Sequence, residues 1–248
     1  MDPTLNDLPA YVVRILPGLL LITGCLALAR RDPLLRILLL VLGFVLIRDA
    51  MTPLGFWRLG AAGEVVPWLR FVDSTAILLA FGTTILLLTA TVLRLDRGLR
   101  ELVRWGRVTP QNVALGIGGG LLAAAPVLLI SQLWPLDERG GAVSTGVLPA
   151  LLFFALAGNL AEEVLFRGFL QGQLHQRLTP NRAALLSGLF FAACHAFLAA
   201  TVTSVGWPLL VFTLVEGLIC AFLCRYRGLV PAVLAHGTAI FALGSGLA

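Results

Sequence analysis

Long apolar runs recur along the whole chain, and short connections rich in arginine separate them. A helix needs about 20 mostly apolar residues to cross a bilayer. The runs therefore predict membrane-spanning helices at residues 11–29, 34–48, 72–93, 112–134, 147–170, 183–202, 207–224 and 229–247. In the bilayer core no water is present to form hydrogen bonds with backbone N–H and C=O groups. Each segment must therefore pair these groups internally, as a helix does. The pattern predicts an all-α polytopic membrane bundle of about eight transmembrane helices.

The composition supports an integral membrane protein. Of the 248 residues, 58% are hydrophobic and 12% are charged, whereas a soluble domain carries about 25% charged residues. No polar stretch is long enough to fold alone, so we expect one integrated domain. The net charge of +5 is explained by arginines at membrane flanks, and it does not indicate a nucleic-acid partner.

The stretch between the second and third runs is mixed in character. It contains Trp57, Arg58, Glu64, Trp68 and Arg70. Tryptophan beside arginine is typical of a membrane interface. The sequence therefore predicts a loop or a surface helix here.

Arginine placement predicts the orientation in the membrane. Five arginines lie between residues 94 and 107, and further arginines follow the first, fifth and seventh runs. Loops rich in arginine stay in the cytoplasm. If eight helices alternate, both termini lie outside the cytoplasm. We expect the membrane to be a bacterial inner membrane.

Ionisable residues inside the apolar runs are the candidates for chemistry. Glu162 and Glu163 interrupt the fifth run, with Arg167 one helical turn later. A charged side chain near the bilayer centre costs at least a few kcal/mol, so such residues are functional by default. Glu163 and Arg167 share a helix face at the i, i+4 spacing of a stabilising ion pair.

Further ionisable residues fall at a similar depth. With a rise of 1.5 Å per residue, Glu163 and Glu216 lie roughly 14 Å from the cytoplasmic ends of their helices. His195 and His236 come out at roughly 18 Å and 10 Å by the same rise. We therefore expect Glu163, His195 and His236 to face one polar cavity, and we expect Glu216 to line it, either protonated or paired with Arg167.

Such a cluster fits more than one function. A carboxylate there can take a proton from water while a histidine orients that water or stabilises charge. A structural Glu–Arg pair and a proton-coupled carrier that uses Glu163 and Glu216 as relays are alternatives. We find no internal repeat of the kind that carriers built of two halves show.

The order and spacing of these residues resemble a known family. The motifs are E-E-x-x-x-R (Glu162, Glu163, Arg167), F-x-x-x-H (Phe191, His195) and His236 after R-Y-R-G-L-V-P-A-V-L-A. Over residues 147–240 the chain resembles the CAAX-protease and bacteriocin-processing family of intramembrane proteases, also called the Abi family. The resemblance implies a protease core at residues 111–248 and accessory helices at residues 1–110.

The resemblance also implies roles for these residues. Glu163 is the general base, Glu162 and Arg167 set its surroundings, and the two histidines position water or stabilise the transition state. The cofactor stays open: either none, or a divalent metal such as zinc held by Glu163, His195 and His236.

One position departs from the family pattern. Members commonly continue the last histidine as H-x-x-x-N, and the asparagine is assigned to the oxyanion. Here that position is Ile240, which has no hydrogen to donate. Asn159, one turn before Glu163, and Thr238 are the replacement candidates.

The resemblance leaves the substrate open as well. The expected partners are the bilayer and a membrane protein or lipidated peptide. Processing of the CAAX, bacteriocin or C-terminal sorting-signal type would fit. The alternative is a non-enzymatic immunity or scaffold protein that retains the protease fold.

Overall fold

The computed structural model describes residues 3–247 and confirms a helical membrane bundle. Its α-helices are α1 (Leu8–Leu28), α2 (Pro33–Asp49), α3 (Thr75–Leu95), α4 (Arg97–Glu101), α5 (Pro110–Ser131), α6 (Leu148–Glu163), α7 (Gln171–His175), α8 (Pro180–Ala193), α9 (Trp207–Arg227) and α10 (Leu229–Gly244). Every predicted apolar run coincides with a helix. Within residues 3–247, six helical stretches are long and apolar enough to cross a membrane. The predicted number of eight is not confirmed, because α2 has 17 residues and α10 has 16.

The stretch between α2 and α3 is a β-hairpin, so the predicted loop or surface helix is wrong. Strand β1 (Trp57–Ala62) pairs antiparallel with β2 (Val66–Phe71). The turn places Gly63 and Glu64 at φ values of 54° and 62°, as a tight hairpin turn of primed type requires. A tight turn therefore connects the two strands, and the hairpin packs against α5, α9 and α10.

Two π-helical segments lie in the parts of the chain that carry the glutamate and histidine motifs. Val164–Leu170 continues α6 directly after the glutamate pair, and all seven of its residues are buried. Leu198–Val202 follows α8 shortly after His195. Segments of π-helix often occur at functional sites because the extra residue turns the side chains relative to a regular helix.

Helix α10 is held between α5 and a loop. A Cβ atom at Gly120 of α5 would lie 2.2 Å from the carbonyl oxygen of Ala235, and one at Gly116 would lie 2.9 Å from that of Pro231. These glycines let the two backbones approach closely. The amides of Leu229 and Val230 donate to the carbonyls of Arg104 and Trp105 at 2.8 and 2.9 Å, which fixes the start of α10.

The other end of α10 meets the hairpin. Arg70 in β2 donates from Nη1 to the carbonyl oxygen of Leu243 at 2.8 Å. The hairpin and the loop at residues 104–105 therefore lie at opposite ends of α10. His236 lies between them, about 10 Å from either end by the rise of a helix.

Candidate active site

Glu163 is the centre of a buried ion-pair cluster. Its side chain has no exposed surface, and its Oε1 lies 3.0 Å from Nη1 of Arg167. Arg167 also donates from Nη2 to the carbonyl oxygen of Gly217 at 2.8 Å, and its guanidinium lies 4.3 Å from the centre of the Phe191 ring. Buried charges persist only with such partners. Through these contacts the Glu163–Arg167 pair connects α6 to Phe191 of α8 and to Gly217 of α9.

His236 bridges Glu163 to two further carboxylates. Its Nδ1 lies 2.9 Å from Oε1 of Glu163, and because an ionised carboxylate only accepts, Nδ1 is the donor. The opposite nitrogen, Nε2, lies 3.6 Å from Glu216 and 4.0 Å from Glu162. Glu163 thus orients the imidazole, and the free end of the ring points between two carboxyl groups.

A cavity of about 110 Å³ lies on that side of His236. Its polar lining includes Asn159, Glu162, His195, Glu216 and His236. Most other lining side chains are apolar, from the hairpin and from α6, α9 and α10. The cavity therefore has a few polar side chains grouped together and otherwise apolar lining, a composition typical of ligand pockets.

The two neighbouring glutamates have different surroundings. Glu162 lines the cavity, whereas Glu163 is not among the lining residues. Oε2 of Glu162, Oε2 of Glu163 and Oε1 of Glu216 are all buried and have no hydrogen-bond partner within residues 3–247. Contact with the cavity, rather than an unpartnered oxygen, therefore distinguishes Glu162 from Glu163.

Arg48 is a site residue that the sequence analysis missed. It lies at the end of α2, is 6% exposed, and forms an ion pair with its neighbour Asp49 at 2.8 Å. Its Nη1 lies 2.8 Å from Nε2 of His195, and its Nη2 donates to the carbonyl oxygen of Cys194. An arginine at the end of an apolar run looks like an interface anchor, so only the fold reveals this role.

The contacts of His195 fix its state. Nδ1 lies 2.8 Å from the carbonyl oxygen of Phe191, which can only accept. Arg48 can only donate, so Nε2 of His195 must accept. Both ring nitrogens therefore have protein partners, and the ring is neutral with its proton on Nδ1.

The structure brings most predicted site residues together, with two corrections. His195, Glu216 and His236 line one cavity as expected, but Glu163 lies behind it and serves His236 and Arg167 instead. The nearest ionic partner of Glu216 is His236 rather than Arg167. Asn159 and Ile240 both line the cavity.

The predicted metal ligands do not fit a cation. His195 has no free nitrogen. Oε1 of Glu163 accepts a hydrogen bond from Nδ1 of His236, and the same oxygen forms an ion pair with Arg167. In a second set, Glu163, Cys220 and His236, the potential ligand atoms lie within 4.8 Å of one another. The Arg167 guanidinium lies 3.0 Å from Oε1 of Glu163 and would repel a cation there. We therefore derive no step through a metal.

Comparison with known proteins finds a similar family over part of the chain. Residues 144–242 match the family described as Type II CAAX prenyl endopeptidase Rce1-like. Over this region the chain is similar to the CAAX-protease family. The family is one of membrane peptide hydrolases, and the match includes both glutamates, Arg167 and both histidines. Arg48 lies outside the matched region. No curated protein and no solved structure matches the chain.

Proposed function

We propose that this protein is an intramembrane endopeptidase in which Glu162 activates the attacking water. The observation that carries the proposal is the position of Glu162: its side chain lines the cavity, and its Oε2 lies 4.0 Å from Nε2 of His236. A general base must lie within hydrogen-bond reach of the proton that it takes. Glu163, which the resemblance makes the base, is fully buried and already bonded on Oε1.

Glu163 then acts through His236. A carboxylate that holds one imidazole nitrogen fixes the ring's tautomer and orientation. The other nitrogen faces the cavity between Glu162 and Glu216. Glu162 takes the proton of the attacking water as the carbon–oxygen bond forms. With both ring nitrogens protonated, His236 can stabilise negative charge on the intermediate and pass its Nε2 proton to the leaving amine as the carbon–nitrogen bond breaks. The proton that Glu162 has taken from water then returns to Nε2.

Asn159 is the proposed donor to the oxyanion. It lines the cavity one turn before Glu163 on α6, and its side-chain amide has no hydrogen-bond partner within the described residues. Ile240 also lines the cavity and has no hydrogen to donate. Arg48, held by His195 and Asp49, adds a fixed positive charge to the same cavity wall. Fixed donors of this kind stabilise charge that develops in the transition state.

The proposed substrate is a membrane-embedded or lipid-modified peptide. The cavity walls are largely apolar, and the exposed apolar side chains of α1, α3 and α5 fit a protein surrounded by lipid. The hairpin that borders the cavity lies at the opposite end of α10 from the arginine-rich loop. If that loop is cytoplasmic, as arginine content favours, the substrate reaches the cavity from the other side, where both termini would also lie.

A non-enzymatic scaffold or immunity protein is the second candidate. Ile240 favours it, because this residue stands in the cavity where the family commonly has asparagine. The buried carboxylates argue against it, since each costs several kcal/mol to bury and a scaffold has no use for them.

Purified protein in lipid nanodiscs can distinguish the two. We expect hydrolysis of one peptide bond in a farnesylated peptide ending in Cys-a-a-X or in an apolar transmembrane-helix peptide, detected by mass spectrometry. The Glu162→Gln variant serves as the control for contaminating proteases. Equal cleavage by both proteins, or cleavage by neither, would overturn the proposed function.

A further inference from the structure

One face of the hairpin forms part of the cavity wall. Side chains alternate between the two faces of a strand. In β1, Trp57 and Leu59 line the cavity, and opposite them in β2 so do Phe71 and Leu69. These residues form the directly facing pairs Trp57–Phe71 and Leu59–Leu69. The hairpin therefore lies over the same space that Glu162 and His236 face.

The hydrogen-bond pattern shows which backbone groups of β1 are free. The amide of Val72 donates to the carbonyl oxygen of Phe56 at 2.9 Å, so this pair is a hydrogen-bonded one. Bonded and non-bonded pairs alternate in an antiparallel ladder. The backbone groups of Trp57, Leu59 and Ala61 therefore point away from β2.

These outward groups have no partner among the residues that the structure describes. Within residues 3–247, no backbone or side-chain group bonds the amides or carbonyls of Trp57, Leu59 and Ala61. The outer edge of β2 is different: Pro67 has no amide hydrogen, and the carbonyl of Leu69 already accepts from Arg70. The open edge of the sheet is β1.

We propose that the peptide substrate binds as an added strand along the outer edge of β1. This inference rests on the proposed function, because a protease must hold its scissile bond in an extended backbone. Free backbone donors and acceptors on a strand edge recognise an extended peptide through main-chain hydrogen bonds. An unpaired edge is tolerated in a membrane protein only where it borders a cavity or protein, and side chains of the same strand line the catalytic cavity.

The proposed strand has a consequence for specificity. Substrate side chains would alternate between the two faces of the extended sheet. Those on the face of Trp57 and Leu59 would lie near Leu198 and Leu209, which pack against that face and line the cavity. The substrate should therefore have apolar side chains at alternate positions around the scissile bond.

Hydrogen exchange on the Glu162→Gln variant in nanodiscs tests the docking without cleavage. The probes are the farnesylated Cys-a-a-X peptide and an apolar transmembrane-helix peptide, each with a fluorophore to measure binding by anisotropy. We expect a bound probe to slow exchange at Trp57, Leu59 and Ala61 by at least about tenfold, and to leave the already bonded amides of Arg58 and Gly60 unchanged. Unchanged exchange at the three outward amides would overturn the inference, whether or not a probe binds.

A matched pair of variants gives a second test. Ala61→Pro removes one outward donor, while Ala61→Val adds a side chain of similar size and keeps the amide. One hydrogen bond contributes about 1 kcal/mol, so Ala61→Pro should weaken probe binding about fivefold relative to Ala61→Val. Equal affinities of the two variants would contradict the added strand. Cleavage by Glu162→Gln would instead contradict the proposed function and leave this comparison of affinities intact.

Discussion

Substitution of Gly120 by alanine should lower kcat by displacing His236, although Gly120 itself does not line the cavity. The new Cβ would lie 2.2 Å from the carbonyl oxygen of Ala235, against 3.4 Å or more for ordinary contact. Helices α5 and α10 must therefore separate by about 1 Å, because the opposing atom belongs to the backbone and cannot rotate away. Ala235 precedes His236, so the imidazole moves with it.

Two effects follow from that displacement. Overpacking of a close interface costs about 1–3 kcal/mol of stability. A misplacement of about 1 Å at a catalytic group costs roughly 10²-fold in rate. We therefore expect Gly120→Ala to lower kcat roughly 100-fold while the protein stays folded.

Gly118→Ala is the matched control on the same helix. Nothing lies within 4 Å of a Cβ atom at Gly118, so this change should leave kcat and Tm nearly unaltered. The assay is cleavage of the farnesylated peptide in nanodiscs, with Tm measured on the same samples. Wild-type kcat in Gly120→Ala would refute the argument that α5 positions His236, and so would an equal loss in Gly118→Ala.

Three further predictions concern the cavity and the topology. Arg48→Lys should lower kcat at least about tenfold, because an ammonium cannot reproduce a guanidinium bonded to His195 and Asp49 together; activity equal to wild type would remove Arg48 from the site. Asn159→Ala should lower kcat about 10²–10³-fold with little change in KM, whereas Ile240→Asn should change kcat less than threefold; the reverse order would assign the missing donor to position 240. A reporter fused after Arg107 should be active only in the cytoplasm, and an active periplasmic reporter there would contradict the orientation.

The helices were predictable because the bilayer imposes them. Apolar runs of about 20 residues admit one spanning structure when no backbone group can remain unbonded. The run at residues 34–48 and α2 differ by one residue at each end. The depth of the ionisable residues was predictable for the same reason, since rise per residue is fixed. Glu216 and His236 do meet, at 3.6 Å.

The hairpin was missed because two physical explanations fit its composition. Tryptophan and arginine suit both a membrane interface and a strand that faces a cavity on one side. The better signal was the alternation around Leu59 with Gly63 at the turn, which is the pattern of a short hairpin.

The distinction between the two glutamates could not be predicted. Adjacent residues on a helix point about 100° apart, and the rotation of α6 depends on packing against α3 and α10. The π-helical segment after Glu163 changes that rotation again. Spacing therefore identifies the pair, and only the fold shows that Glu162 lines the cavity.

The comparison of Glu162→Gln with Glu163→Gln tests the central claim most directly. Glutamine keeps the shape and removes the base. For Glu162→Gln we predict a loss of kcat of about 10²–10⁴-fold with unchanged Tm and unchanged peptide affinity. Glu163→Gln should lower Tm strongly, because it leaves the Arg167 charge buried without its partner. Wild-type kcat in Glu162→Gln, with a stable but inactive Glu163→Gln, would contradict the account and return the role of base to Glu163.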